Sequence, residues 1–261
     1  FIEGRPNSSL MYLLQACELI EPQGIIAFIL PESFSSGLSY NTIRDIIHTN
    51  YHIISVFNTQ SITRKNNIVL IIQKTAPLNN DIYICKLRNC VIFNEPETTT
   101  TLKSLNAKDT IHSLMLDVKI GTILNTQKDC LTNDSTKTQL IYSRNLKGNT
   151  IIRTSNKNTG KQMYIDKEGM NEPVIVVNRG DGKGKFRLEF CLIDQEQPFL
   201  IENHLMYIYT IQIIPRDEKR KRLCVVKKSL EDPRTHSFIS LYFGNRTMTS
   251  SELKYILPVY T

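Results

Sequence analysis

The stretch LLQACELIEPQGIIAFILPESF, residues 13–34, decides how the front of the chain folds. Ile25-Ile26-Ala27-Phe28-Ile29-Leu30 is apolar without a break. So short and continuous a run suits a parallel strand buried on both faces. Pro31 closes it, because proline cannot donate to a ladder. Upstream, Leu10, Leu13, Leu14, Cys17 and Ile20 recur at helical spacing, with Ser8 or Ser9 placed to cap and Pro22-Gln23-Gly24 to stop the helix. Downstream, Asn41 or Thr42 can cap a helix carrying Ile43, Ile46 and Ile47. Residues 52–57 and 68–72 then read as strands, separated by a polar loop at 58–67 and able to pair as a hairpin. The order helix, strand, helix, strand, strand is the rear half of an α/β sheet. A complete doubly wound sheet needs more βα units in front, including a glycine-rich first turn that holds a cofactor.

The 261 residues suffice for one large domain or two ordinary ones, and 41% are hydrophobic. No apolar run approaches the roughly 20 residues of a membrane span, so no membrane partner is expected. Six cysteines, at 17, 85, 90, 130, 191 and 224, form no Cys-x-x-Cys pair and have no zinc-type histidine spacing. They read as reduced and structural, which points to an intracellular compartment. The net charge is +7. Residues 1–76 carry five basic and five acidic side chains, so the remaining 27 basic and 20 acidic groups, all within 77–261, hold the whole excess. Such asymmetry is the footprint of a polyanion-binding half, although a merely solubilising basic surface would give the same count.

Residues 77–261 read as a mixed, β-rich α+β domain. Short β-like runs fall at 82–85, 140–143, 174–177, 188–193 and 206–214, and helix-like segments at 104–116 and 250–256. Residues 94–101 and 125–137 are Asn/Thr-rich and lack periodicity, as surface loops do. Three polar stretches can face DNA. Arg144, Asn145 and Lys147 lie together; arginine suits guanine edges and asparagine suits adenine edges. Residues 178–187 combine three glycines with Arg179, Lys183, Lys185 and Arg187, allowing close backbone approach and phosphate contact, but lack the Gly-Lys-[Ser/Thr] ending of a nucleotide-binding P-loop. The basic run 219–222, with Lys227 and Lys228, is either a phosphate contact or a solvated face. The five histidines have no matched nucleophile or carboxylate spacing and read as structural.

Several pieces occur in the order found in one enzyme family: "LLQACELIEPQGIIAFILPESF", "NTIRDII", "IVLIIQK", "IGTILNTQKDCLT", "LIYSRNLKGN", "VIVVNRGDGKG" and "TMTSSELKYILPV". Together they resemble the C-terminal part of gamma-type adenine-N6 DNA methyltransferases that carry a target-recognition domain. The resemblance implies that residues 1–76 are the C-terminal half of a Rossmann-like catalytic domain and residues 77–261 the target-recognition domain. It implies double-stranded DNA as partner and S-adenosylmethionine as cofactor, the latter bound by an N-terminal catalytic half preceding Phe1. Phe1 would be the fourth residue of an Asn-Pro-Pro-[Tyr/Phe] motif, its ring stacking on an adenine flipped from the duplex. The family's second aromatic, before the final hairpin, has no clear counterpart: Phe57 falls early, and Ile62 sits nearer the expected place. Arg246, in Asn245-Arg246-Thr247-Met248-Thr249, would lie near the DNA face. The expected activity is site-specific adenine methylation of the restriction–modification type, this chain supplying recognition. Two alternatives are a non-catalytic DNA specificity module and the rear of a restriction–modification fusion with a nuclease.

Overall fold

The computed structural model describes residues 8–59, 67–78, 82–123, 130–152, 162–180, 186–244 and 246–261. Phe1, Lys183, Lys185 and Asn245 lie outside these, as do Ile62 and most of the 58–67 loop. The chain is mixed α/β with several small sheets. It divides into two compact units: the described residues up to Asn106 with Leu241–Phe243, and Ala107–Ser240 with Gly244–Thr261.

The first unit runs α1 (Ser8–Leu19), β1 (Ile25–Pro31), α2 (Asn41–Asn50), β2 (His52–Asn58), β3 (Asn67–Gln73), β4 (Ile84–Leu87), β5 (Cys90–Phe93) and α3 (Pro96–Ser104). Its sheet has the order β1-β3-β2, and β3 is antiparallel to both neighbours. β2 and β3 form the expected hairpin. β1 departs from expectation: it pairs antiparallel and alternates in burial. Ile26 and Leu30 join Leu10, Leu13, Cys17, Ile43 and Ile47 in one core, whereas Ile25 and Ile29 are 60% and 62% exposed. Both helices contribute to the core on the Ile26–Leu30 side, whereas Ile25 and Ile29 point away from it. An unbroken apolar run is therefore half-buried here, a case that sequence periodicity alone does not separate from full burial.

Residues 77–106 pack with this unit. The Asn41 side chain accepts from the Val91 N–H at 2.8 Å and donates to the Asn89 carbonyl at 2.9 Å. The Arg44 guanidinium, fully buried, donates to the carbonyls of Val91 and Phe34. Phe93 donates its N–H to the Ser35 carbonyl at 2.9 Å. Residues 94–101, expected as a loop, form most of α3: Pro96 starts the helix, Glu97 favours its first turn, and Leu102 is buried.

The second unit contains β6 (Asp109–Thr110), β7 (Leu116–Ile120), β8 (Leu131–Thr132), β9 (Thr138–Ile141), β10 (Leu146–Lys147), β11 (Thr150–Ile151), β12 (Tyr164–Ile165), β13 (Val174–Asn178), β14 (Phe190–Ile193), β15 (Phe199–Ile201), β16 (Leu205–Thr210), α4 (Arg216–Glu231), most of α5 (Pro233–Phe243), α6 (Ser250–Tyr255) and β17 (Pro258–Val259). One sheet has the order β14-β13-β16-β7, another β15-β9-β12-β8. Val174, Val176, Ile193 and Leu205 of the first meet Ile141, Phe199 and Ile201 of the second in a shared core. The helix expected over 104–116 is absent: α3 ends at Ser104, Asp109 and Thr110 pair with β17, and Met115 turns the chain at φ +59°. The strand expected over 206–214 stops at Thr210. The basic run is a turn of α4, whose Leu223, Val226 and Leu230 recur at i, i+3 and i+7 and are buried.

Candidate nucleic-acid interface

The register of the four-stranded sheet fixes where the polar stretches fall. Asn178 of β13 pairs with Leu205 of β16, and Val177 pairs with Phe190 of β14. The turn after β13, the approach to β14 and the corner before β16 therefore share one end of the sheet. Arg179, Arg187 and the Glu202-Asn203 corner are there. The Arg144 segment is tied to the same end, because Ser143 donates its N–H to the Glu202 carboxylate at 2.9 Å. Arg179 donates to the Asn203 carbonyl at 3.3 Å. Arg144 and Arg179 thus hang on two consecutive residues.

Arg144 lies in the 3-10 turn Ser143–Asn145 that follows β9. Its guanidinium stands over the Tyr142 ring, 4.9 Å from the centroid. Its Nε and Nη2 are covered and find no hydrogen-bond partner among the described residues. Burial pushes the Tyr142 phenol up, Arg144 pulls it down and Glu202 pushes it up again, so both charges act on this ring. Lys147 is exposed at the end of the β10–β11 hairpin, beside the turn residues Gly148 and Asn149. The Asn149 side chain accepts from the Phe190 N–H at 3.1 Å and fixes the hairpin against β14.

Asn145 is corrected from the sequence reading. It is 1% exposed, its Oδ1 accepts from the Tyr142 N–H at 2.8 Å, and its Nδ2 donates to the Ile152 carbonyl at 2.9 Å. Both ends of the amide close a turn, which leaves none for a base edge. Arg246 is also committed internally: it donates to Glu252 at 2.6 Å. Glu252 is buried and forms a capping box with Thr249 at the start of α6. Arg246 remains close to the site through its neighbourhood, since Met248 donates its N–H to the Arg179 carbonyl at 2.9 Å.

The 178–187 stretch is anchored at its base. Asn178 donates to the Arg187 carbonyl at 2.7 Å and accepts from the Glu189 N–H at 2.9 Å. Gly180 sits at φ +76°, where a Cβ would lie 2.6 Å from the buried Phe186 ring. Only glycine gives both the backbone conformation and the room. Arg187 is exposed beside this clamp.

The basic run on α4 faces elsewhere. Lys219 pairs with Glu172 at 2.9 Å and Arg220 with Asp194 at 3.4 Å. Glu172 precedes β13 and Asp194 follows β14, so these pairs mark the opposite end of the sheet. Arg222 pairs with Glu218 at 2.9 Å within the helix. Sequence reasoning missed Tyr142, Glu202 and Asn203. Tyr142 carried a faint signal, an aromatic two residues before an arginine; Glu202 and Asn203 carried none.

No protein-family model matches the chain, and a search of curated proteins returns no significant match. Among the described residues, no helix is long and apolar enough to cross a membrane.

Proposed function

We propose that this chain reads duplex DNA for a site-specific adenine-N6 methyltransferase of the restriction–modification type. The observation that carries the reading is the convergence of the turn bearing Arg144 and of the Arg179 side chain on the Glu202-Asn203 corner, with exposed Lys147 and Arg187 alongside. Guanidinium groups held by buried contacts can meet base edges, and lysines and arginines around them can meet phosphates. The uneven charge supports this, since the excess of basic groups falls beyond residue 76. The first unit supports the methyltransferase part of the reading. β1 and β2 are both antiparallel to β3, hence parallel to each other, and α2 joins them as a helical crossover joins strands of an α/β sheet.

When bound, S-adenosylmethionine would supply the methyl group. The described residues do not fit it: the turn after β1 carries Glu32 and buried Phe34, not the glycines of a cofactor-binding turn. The role of this chain is to bind and orient DNA, so that a base flipped from the duplex reaches the catalytic residues.

Binding of duplex DNA measured against salt tests the reading. Affinity should fall steeply, with a log–log slope of about −0.9 per phosphate neutralised. Arg187→Ala, which removes an exposed cation beside the two guanidinium groups, should reduce that slope by about one phosphate contact. Binding that is absent at low salt, or indifferent to salt, refutes the proposal.

A further inference from the structure

β15 is the edge strand of its sheet, and that edge is tied at two places. Met170 exchanges two bonds with Phe199, its N–H donating at 3.0 Å and its carbonyl accepting at 2.8 Å. Further along, Ile123 donates its N–H to the Ile201 carbonyl at 3.2 Å. Gly121 brings the chain there: its N–H donates to the Leu205 carbonyl at 3.0 Å, and a Cβ on it would collide with the Glu202 carbonyl. Where these two segments flank β15, a cleft of about 330 Å³ opens. Small-molecule sites run from roughly 300 to 1,000 Å³, so a cleft at the lower end takes a small occupant. Half-buried Met170, Leu200 and Tyr207 line it, and exposed Glu168 and Thr122 stand among them. The sheet register adds a cation. Tyr207 of β16 lies directly opposite Lys119 of β7, so the two side chains share a sheet face. The Tyr209 ring lies 5.7 Å from that of Tyr207, and the exposed Lys119 ammonium stands 4.9 Å from the Tyr209 centroid.

We propose that this cleft receives one unstacked nucleobase of the DNA bound by this chain, its ring against Tyr207 and Met170 and its phosphate at Lys119. The proposal rests on the DNA-reading function above. Its parts match those of a single nucleotide: an aromatic wall for the base plane, a cation for the phosphate, and a carboxylate and a hydroxyl for the polar edge of the base. The cleft also adjoins the reading end of the sheet, because Ile201 leads directly into the Glu202-Asn203 corner and Gly121 is tied to Leu205. Taking a base out of a duplex costs unstacking and unpairing energy, and the cost is least where the base is already unpaired. A cleft of this kind therefore favours DNA that carries an unpaired nucleotide.

The test compares a perfect duplex with the same duplex carrying one bulged adenine, using the 261-residue chain. The wild-type chain should bind the bulged duplex about tenfold more tightly, the scale of one base stacked on an aromatic ring. Tyr207→Leu should lose that advantage while still binding the perfect duplex. Lys119→Gln should reduce the advantage and make it less sensitive to salt. Methionine methyl resonances locate the contact: the Met170 methyl should shift when the bulged duplex is added, and those of buried Met206 and Met248 should not. Melting curves establish that each variant folds; if Tyr207→Leu does not, Thr122→Trp, on the exposed rim, takes its place and should remove the advantage by filling the cleft. The proposal is overturned if the bulge advantage survives in the variant, or if the Met170 methyl stays in place when the bulged duplex binds. Deoxyadenosine alone is the second probe. If it shifts the Met170 methyl while bulged DNA gains no advantage, the cleft takes a free nucleoside and the DNA assignment is overturned. A wild-type chain that binds neither duplex refutes the proposed function itself; one that binds the perfect duplex and gains nothing from the bulge refutes only the role of the cleft.

Discussion

Asn145→Ala separates a turn residue from a base reader. The amide of Asn145 accepts from the Tyr142 N–H and donates to the Ile152 carbonyl, and the side chain is buried. Alanine leaves the Tyr142 N–H buried without that acceptor, which costs about 1–3 kcal/mol, and loses the second bond, worth about 0.5–1.5 kcal/mol. The sum is about 1.5–4.5 kcal/mol. At a urea dependence of about 2 kcal/mol per molar, the unfolding midpoint should fall by roughly 1–2 M. Asn145→Asp keeps an acceptor for Tyr142 but sets a buried carboxylate oxygen against the Ile152 carbonyl, so its midpoint should fall at least as far at neutral pH. The chain has no tryptophan, so far-UV circular dichroism is the suitable signal. An unchanged midpoint in Asn145→Ala, together with loss of preference at one base of the bound site, would refute the reasoning and return Asn145 to the DNA.

Three further outcomes are expected. Gly180→Ala forces a side chain into a left-handed backbone position and against the Phe186 ring; it should destabilise the second unit by about 1–3 kcal/mol, seen as an earlier melt. Leu30→Ala should cost about 2–5 kcal/mol because Leu30 is fully buried, whereas Ile29→Ala, on the exposed side of the same strand, should change stability little, as urea melts of the two will show. Asp117 anchors α6 to β7 by pairing with Lys254 at 2.7 Å. Burial pushes its carboxyl up, but hydrogen bonds from Lys254, the Val118 N–H and Tyr209 outweigh this and hold it below the usual value. A lowered folded-state value gives stability that is present above the unfolded value of about 3.9 and lost as pH falls through the folded one. Wild-type protein should therefore lose more stability than Asp117→Asn on acidification below about pH 4; parallel acid curves would contradict the pairing.

Part of this architecture was legible in local sequence. The spacing of Leu10, Leu13 and Cys17, the apolar run 25–30 and the pair 52–57 and 68–72 each depend on neighbours within a few residues. They gave the helix and strands of the first unit. What failed depends on distant partners. The two faces of β1 differ because α1 and α2 join the core on the Ile26–Leu30 side, and no residue within the strand records that. The charges of 219–222 concealed a helix whose apolar stripe begins at Leu223. Arg144 and Arg179 could be picked out one at a time, because arginine beside glycine or asparagine is a local signal. The corner that joins them could not: Glu202 lies 59 positions from Ser143. Asn145 shows the opposite limit, since a residue type suited to adenine edges is equally suited to closing a turn.

Hydrogen exchange with and without duplex DNA tests most directly whether the loop end of the β14-β13-β16-β7 sheet is the reading surface. Peptides covering Tyr142 to Lys147 and those containing Arg179 should gain protection when DNA is added, while peptides from α4, whose basic groups pair with Glu172, Asp194 and Glu218, should not. Protection confined to α4, or no change at Arg144 and Arg179, would contradict the assignment.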